Sequence, residues 1–406
     1  GRIVELELQR SDAATDTTGP AQALECTGGM RTALAALVRL NEAKLARNSP
    51  RWHNDKSAVL TALMAKARPG AGETPAAFGA AAKQMGVGEE RLIDLAVLSP
   101  QWAPFVEGAL GWEGLVEGVW WIHAHTKDND WRLDFEVQEA RAASIAERTP
   151  LHADELKDGA VDVEWFKRVY GALGKSRWER LYAAAKYACG GIGHKRAQLF
   201  ADAMLGRVKE KEVTDRIKAK RHQDSIRALG LLPLKAGAKG AVLARYRVMQ
   251  EIRRTSRKHG GSMLQASEKR AVEIGMENLA RTGGYPDPVR LQWAMEREEV
   301  ADLEKGAVTV KSGPVSVTLA IDDQGAPELT VSKEGKALAS VPPKVKKEPK
   351  IAALTERVRQ IRQQASRMRQ SLERAMCRGD RFTGGELAEL MRHPVLRPML
   401  ERLVFV

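Results

Sequence analysis

Residues 120–131 read WWIHAHTKDNDW, with two histidines and two aspartates inside a dozen positions. Imidazoles and carboxylates at that density could ligate a metal ion. If the chain were extended there, His123 and His125 would share a face, and Asp128 or Asp130 could add an oxygen ligand. In a helix the two rings lie about 200° apart and cannot hold one ion. Zinc sites use three or four ligands, and the other histidines are scattered along the chain. The expectation is therefore an ordinary helix with Trp120 and His123 buried. HTKDND would close it, and Asp130 would cap a second helix from Trp131. No metal site is expected.

A second stretch, CGGIGHKRA at 189–197, has glycines that could present backbone N–H groups to a phosphate, with Lys195 and Arg196 adding charge. The preceding RWERLYAAAKYAC is helical in pattern, whereas nucleotide-binding glycine loops follow a strand, and the GK[ST] ending is missing. A glycine stop and a new helix near His194 is the expected arrangement. Cys189 and His194 could be posed as nucleophile and base, but five residues of spacing across glycines says little. No serine–histidine–acid set and no H-E-x-x-H motif stands out, so no catalytic residue and no cofactor is assigned.

Charge carries the stronger signal. The formal net charge is +13, yet residues 207–258 hold 16 Lys/Arg against 5 Asp/Glu, and residues 344–381 hold 12 against 4. Positive charge confined to two stretches points to an acidic partner. On 207–227 the signs are mixed, as on a solvated helix face. In 245–258, Arg245, Arg253, Arg254, Arg257 and Lys258 meet only Glu251, and Arg359, Arg362, Arg367 and Arg369 follow on a later helix. These nine are the expected partner or phosphate contacts. Tyr246 is the sole aromatic nearby, so stacking of bases on a platform is not expected.

The elements that must position these residues follow from periodicity. GRIVELELQR reads as a strand and residues 11–30 as a loop. Helical patterns cover 31–46, 56–67, 76–85, 89–98, 113–125, 131–147, 162–173, 176–188 and 194–206, with SPQWAPF as a break between two of them. Longer helices fill 207–305. From 306 the pattern switches to period two, with Val315, Val317, Leu319 and Ile321 on one face and turns at SGP, DDQG and KEG. That is a small antiparallel meander. Beyond PPKVKKEPK, residues Ile351, Leu354, Val358, Ile361, Ala365, Met368 and Leu372 form a heptad seam on one long helix. Its expected partner is another helix, from 245–304 or from a second copy. RFTGGELAELMRHPVLRPMLERLVFV reads as two short helices and the start of a strand.

The fold class is thus mainly α: an irregular multi-helix bundle or solenoid with a small inserted antiparallel β-meander and a long C-terminal helix. The expected segments are a strand-and-loop lead-in (1–30), a helical domain (31–206), a basic helical region (207–305), the meander (306–343), and a long basic helix with C-terminal helices (344–406). No apolar run approaches the roughly 18 residues of a membrane span. The three cysteines are far apart and form no paired framework, which favours reduced thiols and a cytoplasmic setting.

Several ordered segments, among them APFVEGALGWEGL, WWIHAH, LYAAAKYACGGIGHKRAQLFADA, ASEKRAVEIGMENLARTGGYPDPVRLQWAME and LERAMCRGDRFTGGELAELMRHPVLRPMLERLVFV, carry a family resemblance. They resemble large uncharacterised bacterial proteins with the MolR-like (molybdate metabolism regulator) domain of unknown function. The resemblance implies an internal fragment of a longer protein and a regulatory role, and supplies no catalytic residues. The leading expectation is a non-enzymatic regulatory or scaffold segment. It would bind an acidic protein partner, or other parts of the same protein, through basic helix faces, without a membrane. The alternatives are a nucleic-acid-binding module contacting phosphates, and a hydrolase or transferase with a site near His123, His125 and His194.

Overall fold

A computed structural model describes residues 1–40, 45–47, 54–127, 135–235 and 239–404. Two units can be distinguished: Gly1–Lys235 with Val248–Thr282, and Ala236–Arg247 with Gly283–Val406. Residues 207–305, expected as one region, therefore contribute to both. Asp128, Asp130 and Trp131 lie outside the described residues.

In the first unit every described element is helical. It opens with α1 (Arg2–Gln9), α2 (Thr18–Ala23), α3 (Met30–Leu40), α4 (Lys56–Lys66), α5 (Pro75–Gln84) and α6 (Glu89–Leu98). Side-chain caps fix several starts: Asp55 accepts the Ala58 N–H, and Thr74 accepts that of Ala77 just ahead of Pro75. The expected strand at 2–9 and the loop at 11–30 are corrected to α1 and α2. Val4, Leu6 and Leu8 alternate as a strand would, but the side chains that bury are Val4 and Glu7, three apart on one helix face. Burial of Glu7 is offset by hydrogen bonds from the hydroxyls of Thr17 (2.6 Å) and Thr18 (3.1 Å) and by Arg10 (3.2 Å).

The expected break at SPQWAPF is present after Leu98 but is shorter than the whole segment. Pro100 and Pro104 fall in the first turns of a short 3₁₀ segment and of α7 (Ala103–Leu110), where a missing N–H costs nothing. The unit continues through α8 (Leu115–His125), α9 (Phe135–Ala146), α10 (Ala153–Asp158) and α11 (Val163–Ala184). Gly174 breaks α11 with φ 68°, so the two expected helices are two straight pieces. Then follow α12 (His194–Met204), α13 (Glu210–Lys220), α14 (Gln223–Leu229), the last part of α15 (Lys239–Thr255) and α16 (Ser262–Gly283). The aromatic core sits between α8 and α11. Trp121 touches His125, Phe166 and Trp178 with ring centroids 4.4, 4.9 and 5.8 Å away. Gly118 lets the helices close, because a Cβ there would meet a Leu181 methyl at 2.5 Å.

The second unit is built on a helix laid over a sheet. After α17 (Pro288–Glu299) come β1 (Val308–Ser312), β2 (Val315–Ile321), β3 (Pro327–Lys333) and β4 (Lys336–Leu338), antiparallel in the order β1-β2-β3-β4. Lys333 pairs Lys336 across Glu334 and Gly335, whose φ of 50° and 82° suit a two-residue hairpin. The meander then leads into α18 (Pro343–Lys346), α19 (Pro349–Arg378), α20 (Gly384–Leu390) and α21 (Arg397–Leu400). Residues 401–404 are not in a strand, and the last two of LVFV lie outside the described residues.

The heptad seam of α19 is buried as expected, in part against residues of the expected 245–304 region and in part against the sheet. Ile351, Leu354, Val358, Ile361, Ala365, Met368 and Leu372 join one core with Val315, Val317 and Leu319 of β2 and Val331 of β3, while α17 adds Trp293. An apolar stripe fits a sheet face as readily as a helix, and here the inward residues of the meander supply most of that surface.

Candidate functional site

The histidines of WWIHAH occupy the last turn of α8 and bond to different groups. His123 Nε2 donates to the Val97 carbonyl at 2.8 Å, and His125 Nδ1 donates to that of Trp121 at 2.7 Å. Burial dominates both: it pushes His123 down to about 3 and His125 down to about 4, so both rings are neutral at pH 7. Among the described residues no group of three or more His, Cys, Asp or Glu side chains is placed to hold a metal ion.

The glycine stretch is packed against the end of that helix. Lys127 N–H donates to the Gly193 carbonyl at 3.1 Å, and a Cβ on Gly193 would sit 1.6 Å from the Lys127 carbonyl oxygen. Arg196, one turn into α12, is buried and donates to the carbonyls of His125 (3.0 Å), Thr126 (3.3 Å), Leu156 (3.2 Å) and Lys157 (2.7 Å). Its guanidinium thus closes the ends of α8 and α10, where free carbonyls gather. Cys189 and His194 do meet: Sγ lies 3.8 Å from Nδ1 and accepts the His194 N–H at 3.2 Å. That same Nδ1 lies 3.3 Å from an Arg47 Nη2, whose N–H can only donate, so the ring nitrogen nearest the sulfur is already accepting. Burial and then Arg47 push His194 below its ordinary value. The arrangement starts a helix, and it leaves no free base beside the thiol.

The expected cationic contacts divide into three groups. Arg245 is corrected first: it is buried (3 % exposed) and engaged, so it is not a surface contact. Its neighbour Tyr246 donates to Glu296 Oε1 at 3.1 Å. Arg367 is corrected next. Its Nη2 reaches the same Glu296 oxygen at 2.8 Å, and Glu296 also accepts from Gln292 at 3.1 Å. Arg367 therefore neutralises a buried carboxylate, one that burial raises above its ordinary range. A second group is exposed but paired: Arg254 with Glu251 at 2.7 Å and Arg359 with Glu356 at 2.6 Å. The third group comprises Arg253, Arg257, Lys258, Arg362 and Arg369. All are exposed, and among the described residues none forms an ion pair with a described acid.

Four further cations belong with Arg362 and Arg369. Lys344, Lys346, Lys347 and Lys350 are exposed on α18 and the first turn of α19, a stretch that sequence reasoning treats as a linker. Glu348, the acid among them, accepts a hydrogen bond from the Ser312 hydroxyl. The signal was present as local lysine density. Its importance lies in continuity with α19, a 30-residue helix about 45 Å long on which Arg362 and Arg369 stand about 10 Å apart.

A separate groove of about 460 Å³ lies where α17 starts and α19 ends, lined by Asp287, Pro288, Val289, Arg290, Arg378, Asp380 and Arg381. Its guanidinium groups are largely committed. Arg290 bonds Asp287, Glu386 and the Arg381 carbonyl, and Arg378 pairs Asp380 at 2.6 Å.

Among the described residues no helix is long and apolar enough to cross a membrane. A family model described as Family of unknown function (DUF5724) matches residues 1–295, and one described as Domain of unknown function (DUF4132) matches residues 335–406. No curated protein and no solved structure matches this chain.

Proposed function

The chain belongs to the Family of unknown function (DUF5724), and from its own residues we propose that it is a regulatory or scaffold segment of a larger bacterial protein, without catalytic activity of its own. It holds acidic macromolecular partners through exposed basic helix faces and works in the cytoplasm. One observation carries this reading: Lys344, Lys346, Lys347, Lys350, Arg362 and Arg369 stand exposed on α18, on α19 and between them, while Arg357, Arg359 and Arg367 are matched by Asp302, Glu356 and Glu296. Unpaired surface cations add little to stability, so their concentration favours attraction of an external negative charge. The free state of all three cysteines and the resemblance to MolR-like proteins support the cytoplasmic, regulatory setting.

The test is capture of partners by the full-length protein, with and without nuclease, followed by a salt titration. A protein partner that survives nuclease, dissociates with rising salt, and is lost with Lys347→Gln, Lys350→Gln, Arg362→Gln and Arg369→Gln together supports the reading. Recovery of nucleic acid alone, removed by nuclease, would replace it with phosphate-backbone binding. Retention of the partner by the quadruple variant would locate the interface elsewhere.

A further inference from the structure

The connection between α15 and α16 combines an acid-free run of cations with two adjacent exposed apolar side chains. From Arg253 to Ser267 there are four Lys/Arg and no acidic residue. All eight residues from Arg257 to Leu264 are exposed, and the last two are apolar: Met263 is 86 % exposed and Leu264 46 %. The turn is built to hold this shape. Gly260 has φ 77°, its carbonyl accepts from Gln265 Nε2 at 3.0 Å, and a Cβ there would strike the Leu264 side chain. Arg221 anchors the turn's base, donating to Thr255 at 3.0 Å, to the Ile252 carbonyl at 2.9 Å and to buried Glu268 at 2.8 Å. The exposed Lys218 and Lys220 precede that arginine at the end of α13.

Cations at the end of α15 have a local explanation, since they complement the helix dipole. That explanation does not extend to Met263 and Leu264. Two adjacent aliphatic side chains beside an acid-free cationic segment match a surface that offers carboxylates and apolar groups together. A phosphate backbone offers only the charge, and Tyr246, the nearest aromatic in sequence, is buried and cannot stack on bases. Methionine adds adaptability, because its unbranched chain moulds to varied apolar contacts.

We propose that the α15–α16 connection docks an acidic protein segment that carries apolar side chains, with Arg253, Arg257 and Lys258 taking the carboxylates and Met263 and Leu264 covering the apolar positions. This deepens the scaffold reading and rests on it, while using residues outside α19. The full chain is titrated with two fluorescent peptides of equal length, poly-glutamate and an alternating glutamate–leucine sequence. Duplex DNA and phosphatidylserine vesicles serve as comparison probes. The parent chain binds the mixed peptide more tightly than poly-glutamate. Replacing Met263→Ser and Leu264→Ser together weakens the mixed peptide by about tenfold and leaves poly-glutamate unchanged. Replacing Arg257→Gln and Lys258→Gln together weakens both. Unchanged thermal unfolding confirms that these exposed substitutions act on binding. Equal affinity for the two peptides, no effect of the serine variant, or tighter binding of DNA or vesicles through these residues overturns the inference. The α19 variants decide the scaffold reading separately, because they leave this connection intact.

Discussion

Arg367→Gln separates a structural arginine from a partner-binding one. Arg367 is about one-third exposed, whereas Glu296 is only 2 % exposed. Removing one member of a fully buried ion pair costs about 3–5 kcal/mol, because the remaining charge is left without a counter-ion. Here Tyr246 and Gln292 still donate to Glu296, and solvent reaches Arg367, so the expected loss is about 2–3 kcal/mol. Urea unfolding should therefore move to lower concentration by about 1 M. Hydrogen exchange should place the loosening in α17 and α19. The pH dependence gives a sharper check. Burial already raises Glu296, and Arg367 is the main group that lowers it, so the variant carboxyl rises further. A carboxyl raised in the folded state binds its proton more tightly there than when unfolded. Its contribution is thus best at low pH and is lost as pH rises through the folded value. The variant's deficit should be larger at pH 8 than at pH 5, and Glu296→Gln added to it should recover stability and flatten that trend. A deficit no larger than that of Arg362→Gln, or one that grows toward acid, would refute the assignment.

The seam of α19 predicts that Ile361→Asp, placing an unpaired carboxylate against the sheet, costs more than about 4 kcal/mol and unfolds the second unit by circular dichroism. Arg362→Gln and Arg369→Gln should each stay within about 0.5 kcal/mol in the same melt while weakening an acidic partner most at low salt. Arg196→Lys should lower unfolding stability by about 2 kcal/mol, since one ammonium cannot reach four carbonyls that a planar fork serves. His393 is buried and its Nδ1 accepts the Val395 and Leu396 N–H groups, and burial, then Arg297, holds it down to about 3. That cap is present above pH 6.5 and is lost as pH falls toward 3. His393→Asn offers a non-titrating acceptor and should flatten the acid-side loss of stability in a urea series.

How far residue order alone led here depended on whether each signal was local. The meander was legible because period-two alternation at Val315, Val317 and Leu319 and the turn residues between strands are both short-range. The buried stripe of α19 was legible for the same reason, as was part of the 245–304 region that meets it, but the sheet facing it was not. Heptad spacing specifies which residues bury and says nothing of whether a helix or a sheet receives them. At the N-terminus the local signal misled, because Glu7 could be placed inside only with the threonines and Arg10 that satisfy it in view. Charge behaved likewise. Arg359 finds Glu356 three residues away, a pairing visible in the sequence, whereas Arg367 meets Glu296 across 71 residues and Arg357 meets Asp302 across 55. A run of arginines thus mixes residues that neutralise the fold's own carboxylates with residues that face outward. Only the cations left over after pairing can attract a partner, and among the contacts considered above those are Arg362, Arg369 and the lysines of α18 and the start of α19, and Arg253, Arg257 and Lys258 at and after the end of α15. The two sets differ in their company: α19 exposes one large apolar side chain, Met376, whereas the second set stands beside two adjacent ones, Met263 and Leu264. A purely ionic partner would treat them alike, so a difference in their response to an apolar probe is the property that charge counting could not have supplied.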